Sequence, residues 1–128
     1  MKAITIWEPY ASAIAKGIKK FETRSWKTNY RGTIAIHASL KKINNKHLIL
    51  AKQCKIEDLK YGTIVAIAEI TDCIFMTKQF ISTQTPLERQ LGNWTEGNYA
   101  WKLENIRVVN STLLIRGKQG LWNMVEAF

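Results

Sequence analysis

Residues 63–75, Thr-Ile-Val-Ala-Ile-Ala-Glu-Ile-Thr-Asp-Cys-Ile-Phe, are the longest β-type run of the chain and constrain its fold more than any other segment. Ile, Val and Thr suit a pleated sheet better than a helix. The unbroken apolar start of the run reads as a strand buried on both faces. Glu69 interrupts it. A carboxylate buried there without a partner is costly. Glu69 therefore either meets a cation or a hydrogen-bond donor, or serves in proton transfer, or points to water from an open face of the sheet. The first two readings make it a candidate site residue.

Other segments supply a sheet around this run. Residues 3–6 are short, apolar and β-branched, residues 33–38 form an apolar run with Thr and Ile, and residues 121–125 read as a last strand. Residues 99–109 alternate, which puts Tyr99, Trp101 and Leu103 on one face and Lys102 and Glu104 on the other. Between the strands, Pro9 fits the first turn of a helix whose apolar stripe is Ala11, Ile14, Ala15 and Ile18, with Gly17 placed to end it in a left-handed cap. A second helix over residues 44–53 can be capped by Asn44 or Asn45. Residues 77–98 are polar and turn-rich, with one helical turn over 87–91; a long excursion of this kind is often functional. Five or more strands, two short helices and no βαβ rhythm predict an α+β fold built on a mixed, mostly antiparallel barrel. At 128 residues the chain fits one domain, 1–128.

Charge is unevenly spread. Residues 1–60 hold 13 Lys or Arg against 4 Asp or Glu, whereas residues 61–128 hold 6 of each, so the whole net charge of +9 sits in the first half. That asymmetry favours a polyanionic partner on the N-terminal half, against the plainer reading of a merely basic protein. Cys54 and Cys73 are far apart, lack C-x-x-C spacing and have only His37 and His47 as potential helpers, so no metal is expected and reduced thiols are. There is no secretory h-region and no apolar run near the roughly 18 residues of a membrane span. The expectation is a cytoplasmic protein with no membrane contact. Phosphate-binding loops, dinucleotide fingerprints and the common hydrolase motifs are missing, and no cofactor is expected.

The candidate site lies in Gly17-Ile18-Lys19-Lys20-Phe21-Glu22-Thr23-Arg24-Ser25-Trp26. Lys19 falls at the exit of the first helix. From Lys20 the period changes to two, placing Glu22, Arg24 and Trp26 on one side of an extended segment and Phe21, Thr23 and Ser25 on the other. Residues 16–31 carry six cations, Lys16, Lys19, Lys20, Arg24, Lys27 and Arg31, with Glu22 as the lone acid. The alternative is an exposed edge strand whose charges guard against aggregation. His37 ends a strand, where ligand-contacting groups collect, although a lone His there is more often hydrogen-bonded structure.

Three segments in order resemble one family. Ile6-Trp7-Glu8-Pro9-Tyr10-Ala11, then Gly17-x-Lys19-x-x-Glu22-x-Arg24-Ser25-Trp26, then Tyr30-Arg31-Gly32 with Ile36-His37-Ala38, resemble the ASCH domain, the activating-signal-cointegrator homology domain. Tyr99-Ala100-Trp101 and Gly117-Lys118-Gln119-Gly120-Leu121-Trp122 resemble its small bacterial and phage members, so the resemblance covers essentially the whole chain. It implies a PUA-like mixed β-barrel of five to six strands with two or three short helices, and a cleft beside the G-x-K-x-x-E-x-R motif.

The resemblance also implies a nucleic-acid binding module. RNA, another nucleic acid, or a modified base or nucleoside-like small ligand would occupy a basic cleft drawing on Trp7, Pro9, Lys19, Glu22, Arg24, Trp26, Arg31, His37 and Trp101. Lys19 and Arg24 would attract phosphate, a Trp would stack a base, and Glu22 or Glu69 would accept from its exocyclic amine. The alternative is a hydrolase acting on RNA or on an acylated nucleoside. One bacterial branch removes the acetyl group from N4-acetylcytidine with a Lys, a Thr nucleophile and a Glu; Lys19 and Glu69 match two of these, but Glu22 stands where the Thr belongs. A carboxylate does not replace an activated hydroxyl in acyl transfer. The catalytic residues of a hydrolase would then be Lys19, Glu22 and Glu69.

Overall fold

The β-branched runs all become strands of one sheet. In chain order the elements are β1 (Lys2–Ile6), α1 (Tyr10–Ala15), β2 (Phe21–Arg24), β3 (Gly32–Ala38), α2 (Asn45–Gln53), β4 (Ile64–Phe75), α3 (Lys78–Ser82), α4 (Pro86–Gln90), β5 (Tyr99–Val108) and β6 (Leu121–Asn123). The computed structural model describes residues 1–125 and 128. The strands run in the order β2-β5-β4-β3-β1-β6, and the sheet curls into a half-barrel, an α+β fold consistent with a PUA-like barrel. Only the β1–β3 pair is parallel among these neighbours; the others are antiparallel.

The run that opened the sequence reading becomes β4, near the middle of the sheet. Its first five residues are buried, and Ile34, Ile36, Val65, Ile70 and Trp101 join Ile4 and Ile14 in the main core. This core lies against α1, where Ala11 and Ile14 contribute the buried face. The alternation predicted for β5 holds at its start, with Trp101 and Leu103 buried and Lys102 and Glu104 exposed.

Glu69 sits where the pleat is broken. Between Ile67 and Glu69 the register against β5 shifts, and Asn105 takes a left-handed φ of 54° to accommodate the extra residue on β5. Glu69 is half-buried beside Thr33 and Glu104, with no ion pair among the described residues. Of the three readings open for it, the solvent-facing one matches this environment.

Among the described residues four short helices form instead of two or three. Residues 77–91 fold into α3 and α4 because Thr77 and Thr85 each accept a hydrogen bond from a backbone N–H three residues on. Pro86 follows at the position where its missing N–H does no harm. Neither helix has room for an apolar stripe, so periodicity could not announce them. Asn44 caps α2 by accepting from the His47 N–H at 3.0 Å. Gly17 adopts φ 75° and turns the chain out of α1 into Lys19, as its placement predicted.

Candidate functional site

β2 is an edge strand, as one reading of its charges had it, but its acid is no surface ornament: Glu22 is buried. Glu22 pairs with the buried Trp101 of β5, and the side chains of Glu22 and Arg24 share one side of the strand. The Arg24 Nε donates to Glu22 Oε2 at 2.8 Å, and one Arg24 terminal nitrogen reaches the Thr5 carbonyl at 3.3 Å, tying β2 to the end of β1. The Lys19 Nζ lies 3.8 Å from Glu22 Oε1 and donates to the Leu91 carbonyl at 2.5 Å. These three side chains stand on the floor of a cleft of about 600 Å³.

Lys19 is only 1 % exposed. Burial lowers its pKa below the usual lysine value; Glu22 and, more weakly, Glu88 oppose that by favouring the cation, while Arg24 adds to it. An ammonium held in so dry a place needs partners, and Glu22 with the Leu91 carbonyl supplies them, Glu88 acting only at longer range. Glu88 is itself buried on α4, and loss of water raises its pKa. Its Oε1 accepts from the Lys20 N–H at 2.8 Å, while Oε2 has no hydrogen-bond partner among the described residues.

Aromatic side chains form one wall. Trp7 is 48 % exposed and Tyr10 half-buried, and His47 of α2 stands edge-on to both rings at 6.3 and 5.6 Å between centroids. The Lys41 ammonium caps the Trp7 ring at 3.8 Å from its centroid. The opposite wall is the segment after α4, residues 91–93, held to β2 by the Asn93 N–H donating to the Thr23 hydroxyl at 2.8 Å. Thr23 thus turns to that segment while Glu22 faces Lys19, as strand alternation requires.

The structure brings together Trp7, Lys19, Glu22 and Arg24 of the residues named from sequence, and sets Trp26 on an adjoining hollow. The others stand elsewhere. Trp101 is 0 % exposed; its indole N–H donates to the Trp26 carbonyl at 3.3 Å and its ring meets that of Trp26 edge-on at 4.7 Å, so it supports Trp26 and offers no face for stacking. His37 is buried between the Thr5 hydroxyl at 3.1 Å and the Ile115 carbonyl at 2.7 Å, a structural histidine. Pro9 is buried at the N-terminal cap of α1. Arg31 is exposed and donates to the carbonyls of Thr28 and Tyr30 outside the cleft. Glu69 lines a separate hollow with Asn105 and Arg107. It lies four residues along β4 from Cys73, which pairs with the Trp101 that pairs with Glu22, hence roughly 13 Å along the strand from that row. The proposed Lys19, Glu22 and Glu69 set is therefore not one constellation.

Sequence reasoning did not name Tyr10 or His47 for the cleft, and reached Glu88 and residues 91–93 only as part of the 77–98 excursion. A signal existed for Glu88: Thr85-Pro86-Leu87-Glu88 has the S/T-x-x-E spacing of a capping box. Only half of that box forms. Thr85 accepts from the Glu88 N–H at 3.1 Å, but the Glu88 carboxylate turns to the Lys20 N–H just before β2. Among the described residues, no group of three or more His, Cys, Asp or Glu is arranged to hold a metal, and no helix is long and apolar enough to cross a membrane.

The fold, the half-barrel sheet and a G-x-K-x-x-E-x-R motif at its cleft define a class. The ASCH domain family model matches residues 4–112, and the chain belongs to that family, which is generally associated with RNA binding. Among curated proteins it is similar to Activating signal cointegrator 1 of Homo sapiens, 24 % identical over 131 residues. The match takes in 94 % of this chain but only 22 % of that protein's length.

Proposed function

We propose that the chain is a nucleic-acid binding module that holds one base, or a nucleoside-like ligand, in the cleft between Trp7 and residues 91–93. The observation that carries this reading is the pairing of a buried carboxylate, Glu22, with an aromatic wall. Both cations on the floor are already engaged, Lys19 by the Leu91 carbonyl and Glu22, Arg24 by Glu22 and the Thr5 carbonyl. A phosphate placed between Lys19 and Glu22 would face a carboxylate. A neutral base would not, and an exocyclic amine would donate to the free lone pairs of Glu22. Cytosine, adenine and guanine carry such an amine; uracil does not. The exposed Trp7 face, already cation-capped on one side, supplies stacking worth about 1–3 kcal/mol per base.

The test is anisotropy with random-sequence single-stranded RNA across 50–200 mM salt, the range over which phosphate contacts are felt. Trp7→Ala weakens binding by about tenfold, and Glu22→Gln lowers the preference for amine-bearing bases over uracil. Absence of binding by the wild-type protein at the low-salt end sinks the reading.

One observation favours a second reading, hydrolysis of an acylated nucleoside: a lysine with a lowered pKa beside a carboxylate is the equipment of general acid–base chemistry. The carboxylate partner would be Glu22 or Glu88 in place of Glu69. Turnover of N4-acetylcytidine that is abolished by Lys19→Met, in a variant that still folds, supports it; no turnover by the wild type removes it.

A further inference from the structure

The cleft does not end at Arg24. A second hollow of about 570 Å³ shares Thr5, Trp7 and Arg24 with it and runs on between Trp26 on one side and Lys118 and Gln119 on the other. The two halves differ in chemistry. The inner half has a buried acid on its floor; among the described residues no acidic side chain lines the outer half, which carries the exposed Lys118, the outward side of the Glu22-paired Arg24 and two half-open indoles. Trp26 is 40 % exposed, with its ring braced edge-on by Trp101 beneath and its far edge against Gly120, where an added Cβ would lie 3.9 Å from the ring. A braced aromatic with one open face stacks a flat ligand without first having to be ordered.

Resting on the base-binding reading above, we infer that the ligand is a single strand of at least two nucleotides: one base in the inner cleft, the linking phosphate at Arg24 and Lys118, and the next base on Trp26. Arg24 is the hinge of this arrangement. Its Nε is held by Glu22, one terminal nitrogen by the Thr5 carbonyl, and its side chain lines both hollows, so its remaining N–H groups face the boundary where a phosphate between two bases would pass. Lys118 and Gln119 sit in the turn before β6, on the other bank. A free nucleoside would leave this outer half unused, and a duplex would not splay its bases into two such hollows.

The experiment compares mononucleotides with dinucleoside monophosphates of matched base in competition against a fluorescent single-stranded hexanucleotide, in ribo and deoxyribo forms. The expected result is an affinity gain of roughly tenfold from mononucleotide to dinucleotide. Trp26→Ala removes most of that gain and Trp26→Phe keeps most of it. Lys118→Gln, an exposed change with no hydrogen-bond or ion-pair partner among the described residues, lowers the slope of log K against log salt by about 0.7 for the hexanucleotide. Arg107→Gln, the same charge loss at the far end of β5, leaves the slope unchanged. Hexanucleotide binding with equal affinity for mono- and dinucleotides, or a slope indifferent to Lys118, overturns the two-nucleotide site while leaving base binding in the cleft intact. No binding of any strand overturns both. A gain seen with ribo but not deoxyribo dinucleotides supports the site and identifies the strand as RNA; an equal gain supports it for single strands in general.

Discussion

Replacing Glu22 by Gln should expose how the cleft floor is held together. Gln preserves the shape and still accepts from the Arg24 Nε, so what is lost is one negative charge 3.8 Å from a Lys19 ammonium that is 1 % exposed. At an effective dielectric constant near 20, a pair at 3.8 Å attracts by roughly 4 kcal/mol. Gln also relieves Glu22 of its own burial as an ion, and Glu88 and the Leu91 carbonyl remain beside the ammonium, so the net loss is smaller, about 2–3 kcal/mol at pH 7. For a domain of this length that is on the order of 8–15 °C in Tm. Urea titrations at pH 7 and near pH 10 are the assay. Because Glu22 is the largest influence keeping Lys19 protonated, the variant's Lys19 releases its proton at still lower pH, and the loss shrinks at pH 10. Pairing the change with Lys19→Met, which removes both charges, should recover about half of the loss or more. A loss under ~0.5 kcal/mol, or one of the same size at both pH values, would refute the claim that Lys19 is a charged, carboxylate-dependent side chain.

The remaining expectations concern support for the site. Lys19 has a lowered pKa in the folded protein, so between that value and the ordinary 10.5 the unfolded chain binds more protons and stability rises with pH; Lys19→Met should flatten that alkaline rise in a Tm-versus-pH series. Glu88 has the opposite sign: its pKa is raised above 4.5, so stability falls as pH rises through the window from 4.5 to the folded value, and Glu88→Gln should remove that fall. Gly117→Ala pushes a Cβ into the Thr5 side chain and to 3.0 Å from His37, which should cost about 1–3 kcal/mol of stability in denaturant titrations. Asn44→Ala deletes the cap of α2 and should cost about 1 kcal/mol, loosening the helix that carries His47 into the cleft.

What could be read from sequence followed local rules, and what could not depended on contacts between distant segments. The strands announced themselves because Ile, Val and Thr recur with the right period, and the Gly17 turn did so because a left-handed residue was needed between α1 and Lys19. Alternation alone places Glu22 and Arg24 on one side of β2. For Glu69 the sequence left three readings open, since a bulge opposite it resets the pleat and no composition signal marks Asn105 as the residue that absorbs the extra length. Trp101 and His37 had the chemistry of ligand contacts, and only tertiary burial shows one to be a brace and the other a bridge between Thr5 and Ile115. Glu88 stayed hidden for a related reason. Its local motif promised a helix cap, and the side chain went instead to a backbone group 68 residues away.

The charge map changes meaning once the floor is seen. The first half of the chain carries +9, yet the two cations deepest in the cleft are balanced by Glu22 and, behind it, Glu88. Part of the unbalanced charge lies on exposed lysines of the segments around the cleft, and another part, Lys16, Lys55 and Lys60, lines a separate hollow. Lys41 and Lys42 lie over the rings of Trp7 and Tyr61, Lys46 is exposed on α2 beside His47, and Lys27 is exposed next to Trp26. Rim charges act over roughly 8–10 Å at physiological salt, far enough to draw a strand in but too screened to select among bases. The floor works at hydrogen-bond range and discriminates. If that division of labour holds, Lys46→Gln together with Lys27→Gln should slow association and reduce the salt slope by about 1.4 while leaving the ranking of bases untouched, whereas Glu22→Gln should change the ranking and leave the slope nearly as it was. Stopped-flow association with four homopolymeric single strands separates the two effects, and a change of base ranking in the lysine double variant would show that the rim takes part in recognition.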